Sequence, residues 1–218
     1  QGPKAEAALA AQVDGVAALT FMQAGAFAWQ GAPLWISRSG YTGEDGFEIS
    51  IVNDRATAFA EALLADDLVE PAGLGARDSL RLEAGLCLYG HDIDAATTPI
   101  EAGLAWSIGK RRRTGGGFPG AAVIQQQLAD GPTRRRVGLK PDGRAPAREG
   151  AAIETPDGTG IGRVTSGGFG PTVGGPGAMG YVAAGHTAAG TGFTLVVRGK
   201  QLPATVAKLP FVTPGYKR

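Results

Sequence analysis

Short alternating segments, separated by clusters of glycine and proline, fill the second half of the chain and constrain its fold most. The 36 glycines and 14 prolines of the 218 residues concentrate after residue 113. Because these residues interrupt helices and initiate turns, they favour short strands with tight connections. The pattern predicts a small antiparallel barrel or sandwich. Its strands are expected at 136–139, 151–154, 160–166, 178–182, 194–197 and 201–208.

The first half of the chain combines helices with one hairpin. Residues 35–39 and 46–52 alternate apolar and polar side chains around the glycine-rich turn 40–46, which predicts two antiparallel strands. Apolar residues spaced three and four apart predict helices elsewhere. These are expected just after Pro3, at 53–68 with Asn53 or Asp54 as cap and Leu64 on the buried stripe, at 75–83, at 98–104 and at 120–129.

Three further segments complete this interpretation. Residues 106–108 are predicted to be a strand, and the arginine- and glycine-rich stretch 111–117 a loop. The glycine-rich stretch 166–176 lacks the lysine and the following helix of a phosphate-binding loop, so we interpret it as a flexible connection between strands. We therefore expect an α+β region over residues 1–129, followed by a barrel domain over residues 130–218.

Charge and cysteine content argue against several kinds of partner. The chain has 21 Lys and Arg against 20 Asp and Glu, so long-range attraction to nucleic acid or to an anionic membrane is not expected. Cys87 is the single cysteine, and His91 and His186 are the two histidines, which predicts neither a disulfide nor a metal site. No stretch approaches the roughly 20 apolar residues that span a bilayer.

The turn 40–46 and the strand after it contain the first candidate site. Phe47 and Ile49 are expected on one face of that strand, which leaves Glu48 on the other. A carboxylate placed there can accept two parallel N–H bonds from a planar heterocycle with an amino-amidine edge, such as a pterin. The alternative is that the glycines simply form a well-made hairpin.

Arginines and aromatic residues form a second group of candidates. Arg77 and Arg81 stand four apart on the predicted helix 75–83, so their guanidinium groups are expected to point the same way, as a clamp for an anion or a carbonyl. They could equally pair with Asp78 and Glu83 on a solvated helix face. Tyr41, Trp106 and Tyr216 are either core and rim aromatics or stacking walls for a heterocycle. The runs 111–113 and 134–136 are interpreted as solvated charge, with docking of an acidic partner as the alternative.

Five segments, taken in order, resemble the aminomethyltransferase family. They are SGYTGEDGFEI at 39–49, GLGARDSLRLEAGLCLYG at 73–90, TPIEAGLAW at 98–106, GIGRVTSGG at 160–168 and KLPFV at 208–212. The resemblance implies transfer of an aminomethyl group from the lipoyl arm of the H-protein to tetrahydrofolate, with release of ammonia. It also implies two interwoven folate-binding domains followed by a β-barrel.

The opening residues resemble an internal segment of the family, so we expect the folate-binding α+β domains to be incomplete here. The family's acid–base aspartate is then expected ahead of Gln1, and the fragment is expected to be inactive alone. Missing strands would expose edges and apolar surface, so we expect it to be aggregation-prone or held together by self-association. Asp78 and Asp92 match family positions that look structural. No catalytic residue is assigned within this sequence.

The resemblance also implies roles for particular residues, all of them around the co-substrate tetrahydrofolate. Glu48 is expected to hold the pterin edge, Tyr41 to wall the pocket, Arg77 to lie beside the folate or the substrate arm, Trp106 to line the cavity, Tyr216 to close over it, and Arg198 to lie in the same neighbourhood. Two alternatives remain: a folate-dependent demethylase of the same fold, and a folate-binding protein without transferase activity. The expected location is the cytoplasm, or the mitochondrial matrix in a eukaryote.

Overall fold

The computed structural model describes all 218 residues and divides into two compact units. The first unit contains residues Gln1–Ala84 and Val212–Arg218, and the second contains Gly85–Phe211. Each unit has its own hydrophobic core. The division between residues 129 and 130 that the sequence suggests is a different one and stays a prediction. None of the helices is both long enough and apolar enough to cross a membrane.

The first unit is a three-stranded antiparallel sheet with three helices. The strands β1 (Ala24–Trp29), β2 (Ala32–Ser37) and β3 (Glu48–Ile51) lie in that order, and the helices are α1 (Ala5–Ala10), α2 (Asn53–Leu64) and α3 (Leu74–Glu83). Strand β2 alternates buried and exposed residues, so one face of the sheet lies on the core. That core contains Leu9, Val13, Val16, Trp29, Leu34, Ile36 and Phe59.

The predicted hairpin is confirmed, and the helix after it differs in two details. Strands β2 and β3 pair antiparallel, joined by residues 38–47, whereas β1 was not predicted because its small residues give little strand signal. Helix α2 ends at Leu64, short of residue 68, and Leu64 is 48% exposed. Val52 occupies the cap position, so the prediction that Asn53 or Asp54 caps this helix is wrong. The expected helix at 75–83 is confirmed as α3.

The second unit contains two helices and a closed barrel. The helices are α4 (Lys110–Gly115) and α5 (Ala121–Asp130). Six antiparallel strands close the barrel in the order β4–β7–β6–β5–β8–β9. They are β4 (Arg134–Pro141), β5 (Ala152–Glu154), β6 (Gly160–Gly170), β7 (Gly175–Ala183), β8 (Gly192–Val197) and β9 (Lys200–Ala207). The predicted fold class, an α+β region followed by an antiparallel barrel, is confirmed.

Close packing of strands explains several glycines of the barrel. A Cβ atom on Gly162 would lie 1.9 Å from the carbonyl oxygen of Tyr181, and one on Gly167 would lie 1.8 Å from that of Ala147. No side chain fits at such distances, so these strand positions require glycine. The interpretation of residues 166–176 as a flexible connection is wrong, because β6 and β7 stay paired from Gly167↔Ala178 to Gly170↔Gly175.

Three other local predictions differ from the structure. Residues 98–104 form turns instead of a helix, and residues Ala105–Ser107 form a 3₁₀ turn where a strand was expected. Residues Lys110–Gly115 form a short helix where a loop was expected. Two carbonyl groups in the last turn of this helix accept hydrogen bonds from a side chain of α5, since Gln125 Nε2 donates to the carbonyl oxygens of Arg113 and Thr114 at 3.1 and 3.0 Å. The helix expected at 120–129 is confirmed as α5.

Candidate functional site

An open cleft of about 410 Å³ lies in the first unit, between the loop 38–47 and the start of α3. Tyr41, Glu48 and Arg77 line it, together with Gln1 and Glu70. The structure therefore brings three of the six predicted site residues to one cavity. The volume is within the range of small-molecule sites, roughly 300–1,000 Å³.

The loop 38–47 is held on two sides. Gln1 Nε2 donates to the carbonyl oxygens of Ser39 and Phe47 at 3.2 and 3.1 Å. The Gln1 side chain lies directly on Gly40, where a Cβ atom would come within 1.9 Å of it. On the inner side, Arg38 donates from Nε to Asp45 Oδ1 at 2.9 Å. The loop can therefore present its side chains to the cleft in a defined conformation.

Arg38 and Asp45 are structural residues that the sequence analysis missed. Arg38 is 1% exposed, and its guanidinium also contacts Glu6 at 2.6 Å. The hydrogen bonds from Arg38 lower the pKa of the Asp45 carboxyl, and Lys217 and Arg38 together lower that of Glu6. The sequence feature that could have predicted this pair is an arginine at the end of an apolar strand, followed by an aspartate in the glycine-rich turn.

Glu48 is the first residue of β3, and its exposed side chain reaches the cleft. Its Oε2 accepts a hydrogen bond from Ser39 Oγ at 2.7 Å, and its Oε1 has no protein partner. The neighbours Phe47 and Ile49 pack against the core of the unit, as the alternation predicts. The carboxylate is thus available to a ligand that donates N–H bonds.

Tyr41 and Arg77 form the second side of the cleft. The guanidinium carbon of Arg77 lies 5.0 Å from the centre of the Tyr41 ring, a cation–π contact. Arg81 does not join it: this side chain is buried, and its Nε donates to Asp78 at 2.9 Å. The prediction that the two guanidinium groups form a clamp is therefore wrong. The last turn of α3 enters the core while its first turns stay exposed.

The cleft offers complementary charges at short range. Glu48 and Glu70 supply acceptor oxygens, and Arg77 supplies donors of fixed planar geometry. With the Tyr41 ring among the lining groups, the arrangement suits a flat molecule that carries N–H donors on one edge and a carbonyl or carboxylate elsewhere. The structure holds no three His, Cys, Asp or Glu side chains close enough together to bind a metal ion.

The other three predicted site residues lie elsewhere. Tyr216 is in the first unit, but its ring stacks on Phe21 with 4.1 Å between centroids and does not line the cleft. Burial raises the pKa of its phenol. Trp106 and Arg198 belong to the second unit, where Trp106 is 76% exposed and Arg198 lines a cleft beside the turn between β8 and β9.

Two other groups singled out in the sequence have structural contacts. Asp92 is 1% exposed and accepts hydrogen bonds from Ser166 Oγ at 2.8 Å and from the Leu88 backbone N–H at 2.9 Å, which fits a structural role. The sequence suggested that Arg136 is solvated charge, and for this residue the interpretation is wrong. Arg136 donates to the carbonyl oxygens of Ala102 and Gly85 at 2.9 and 3.0 Å.

Comparison with known proteins gives consistent matches along the chain. Residues 1–112 match the family model of the GCVT N-terminal domain, and residues 134–213 match that of the glycine cleavage T-protein C-terminal barrel domain. A mitochondrial aminomethyltransferase of Gallus gallus is 54% identical over 218 residues, which are 99% of this chain and 55% of that protein. A probable mitochondrial aminomethyltransferase of Schizosaccharomyces pombe is 49% identical over 218 residues, which are 99% of this chain and 56% of that protein.

The fold is shared with a solved structure. The crystal structure of glycine cleavage system aminomethyltransferase T from Bartonella henselae aligns with a TM-score of 0.93 and 49% identity, covering 100% of this chain and 60% of that one. The chain spans about half the length of the curated relatives that it matches. With one family model over its first half and the companion model over its barrel, the chain belongs to the glycine cleavage T-protein family.

Proposed function

We propose that this chain provides the folate-binding cleft of an aminomethyltransferase of the glycine cleavage system. The reaction transfers the one-carbon unit of an aminomethyl group, attached to the lipoyl arm of the H-protein, to tetrahydrofolate with release of ammonia. The family match and the relatives named aminomethyltransferase support this proposal. The single structural observation that carries it is the Glu48 carboxylate at the edge of a cleft that Tyr41 and Arg77 also line.

Three residues of the cleft, Glu48, Tyr41 and Arg77, have specific roles in this proposal. Glu48 accepts N–H bonds from the amino-amidine edge of the pterin, which selects this edge over an edge that carries only hydrogen-bond acceptors. Tyr41 provides an aromatic wall, and Arg77 over its ring provides donors for a carbonyl or carboxylate of the ligand. Bound tetrahydrofolate supplies the nitrogen nucleophiles that take up the one-carbon unit. The protein contributes mainly by orienting the reactants.

The cleft passes a simple test of fit for this co-substrate. A pterin needs an acceptor for its N–H edge, and Glu48 Oε1 is an acceptor without a protein partner. We assign no acid–base residue among the 218 positions. Trp106, Tyr216 and Arg198 are retained as proposed folate neighbours on the strength of the family resemblance alone.

The remaining parts of the proposal concern partners, location and domain division. The lipoylated H-protein and folate are the proposed partners. The proposed location is the cytoplasm, or the mitochondrial matrix in a eukaryote; the relatives from Gallus gallus and Solanum tuberosum are named as mitochondrial. We also propose residues 1–129 as the folate-binding region and 130–218 as the barrel domain, in keeping with the barrel model that begins at residue 134.

A titration of tetrahydrofolate against wild type and Glu48→Ala tests the proposed site. The substitution is expected to weaken binding by about 2 kcal/mol or more, because charge-assisted hydrogen bonds are lost. Glu61→Ala, which removes an exposed carboxylate from α2, is the matched control and should leave the affinity unchanged. Equal affinities of wild type and Glu48→Ala would remove the physical basis of the assignment.

Substrate choice separates the proposed reaction from its alternatives. An aminomethyltransferase releases ammonia from the aminomethylated H-protein in the presence of tetrahydrofolate. A folate-dependent demethylase of the same fold would instead consume a small methylated amine or sulfonium compound. Folate binding without turnover of either substrate by the natural protein would indicate a binding function alone.

A further inference from the structure

A row of three polar groups connects the sheet of the first unit to the cleft. Ser37 Oγ lies 2.8 Å from Ser39 Oγ, and Ser39 Oγ lies 2.7 Å from Glu48 Oε2. Ser37 ends β2 and stands directly opposite Glu48, which begins β3, in the antiparallel register. The Glu48 carboxylate is therefore tied to the neighbouring strand through the Ser39 hydroxyl.

The donors and acceptors in this row have one consistent arrangement when the carboxylate is ionised. An ionised carboxylate only accepts, so the Ser39 hydroxyl donates to Glu48. Because that hydroxyl has a single proton, Ser39 Oγ must accept from the Ser37 hydroxyl. The direction of both hydrogen bonds thus follows from the charge on Glu48.

The Ser39 bond leaves the ligand-facing capacity of the carboxylate intact. A carboxylate has about four lone-pair positions, and Ser39 occupies one of them, on Oε2. Oε1 and the second lone pair of Oε2 remain available, which is what two parallel N–H donors on a planar edge require. The bond orients the carboxylate without competing with the ligand.

An exposed glutamate without such a bond samples many rotamers, and binding must then order it at an entropic cost. We propose that Ser39 is a positioning residue that holds the Glu48 carboxylate in the orientation that recognises the N–H edge of the ligand. This inference rests on the proposed folate site, and it adds a residue that determines affinity without contact to the ligand. Ser37 supports Ser39 in the same row.

The position of the loop does not depend on the Ser39 hydroxyl. The backbone carbonyl oxygen of Ser39 accepts a hydrogen bond from Gln1 Nε2, and the Arg38–Asp45 pair anchors the loop on its other side. Ser39→Ala removes the hydroxyl and keeps both anchors. The variant should therefore fold with unchanged thermal stability, which makes its ligand affinity interpretable.

The decisive experiment is a double-mutant cycle read by titration of tetrahydrofolate. Ser39→Ala should raise the Kd about tenfold in the wild-type background, because an orienting bond to a charged group is lost. In the Glu48→Ala background the same substitution should change the Kd by less than about twofold, because there is no carboxylate left to orient. Ser39→Thr keeps the hydroxyl and should recover most of the affinity.

Ser50→Ala is the matched control, since Ser50 is an exposed serine of β3, the strand that Glu48 begins, and lies opposite Trp35. It should bind tetrahydrofolate as the wild type does. An unchanged Kd for Ser39→Ala, or an equal loss with and without Glu48, would overturn the inference. A Glu48→Ala variant with wild-type affinity would instead overturn the proposed folate site itself, so the two failures can be told apart.

Discussion

Arg38 grips Asp45 with both Nε and one terminal nitrogen of its guanidinium, closing the base of the loop that forms one wall of the cleft. The same terminal nitrogen of Arg38 also contacts Glu6 at 2.6 Å, and the other terminal nitrogen donates to the Leu19 carbonyl oxygen at 2.9 Å. A buried ion pair contributes little net stability, but removing one partner leaves a buried charge uncompensated. The pair therefore serves to give the loop one conformation.

Replacing Asp45 by Asn should destabilise the protein by about 2–4 kcal/mol, because the buried Arg38 charge loses its bidentate partner. The measurement is the free energy of unfolding from urea denaturation. Asp67→Asn, on an exposed residue after α2, should change this free energy by less than about 0.5 kcal/mol. Equal effects of the two substitutions would show that the pair does not anchor the loop.

The same network predicts a dependence of stability on acid pH. Hydrogen bonds from Arg38 lower the pKa of Asp45, and those from Lys217 and Arg38 lower that of Glu6. As the pH falls below about 4, the unfolded chain takes up protons before the native state does, so stability decreases as pH falls through the folded-state pKa values. Unfolding free energies of Asp45→Asn should vary less with pH in this window than those of wild type.

Substitutions of Arg77 and Arg81 should affect different properties, the first ligand binding and the second stability. Arg77→Ala should weaken tetrahydrofolate binding by about 0.5–2 kcal/mol and leave unfolding nearly unchanged, because Arg77 is exposed at the cleft. Arg81→Ala should cost about 2 kcal/mol of stability, because its side chain is buried. Titration and urea denaturation of both variants check this. A larger stability loss for Arg77→Ala than for Arg81→Ala would contradict the assignment.

Asp92 should be a stability residue of the second unit. Asp92→Ala removes the buried carboxylate that accepts hydrogen bonds from the Thr165 and Ser166 hydroxyl groups and from the Leu88 N–H, so a loss of about 3–5 kcal/mol in unfolding free energy is expected. Asp142→Ala, at an exposed position after β4, is the control and should be nearly neutral. A near-neutral Asp92→Ala variant would mean that water replaces the carboxylate without cost.

Two glycines of one strand should respond differently to alanine. Gly167→Ala places a Cβ atom 1.8 Å from the carbonyl oxygen of Ala147 and should destabilise the barrel by more than about 3 kcal/mol. Gly160→Ala, at the start of the same strand β6, meets no atom within 4 Å and should be tolerated. Melting temperatures of the two variants test this. Similar melting temperatures would show that the strands can separate to admit a side chain.

Local patterns were sufficient for much of the fold. The strands of the barrel and the β2–β3 hairpin follow from side chains that alternate with period two, because one face of each strand is buried. Helices α3 and α5 follow from the helical spacing of apolar residues in the same way. Strand β1 could not be predicted, since its alanines and glycine carry almost no preference until β2 pairs with them.

In the candidate site, too, local patterns predicted some features and only the tertiary structure decided others. The alternation around Glu48 predicts that its carboxylate points away from the core, and the structure agrees. The partners of that carboxylate and of Arg38 could not be read from spacing, because they depend on how the loop folds back on the strands. The burial of Arg81 could not be read from spacing either, because it depends on how deeply the end of α3 enters the core. Periodicity is a property of neighbouring residues, whereas burial and hydrogen-bond partners arise only when distant segments pack together.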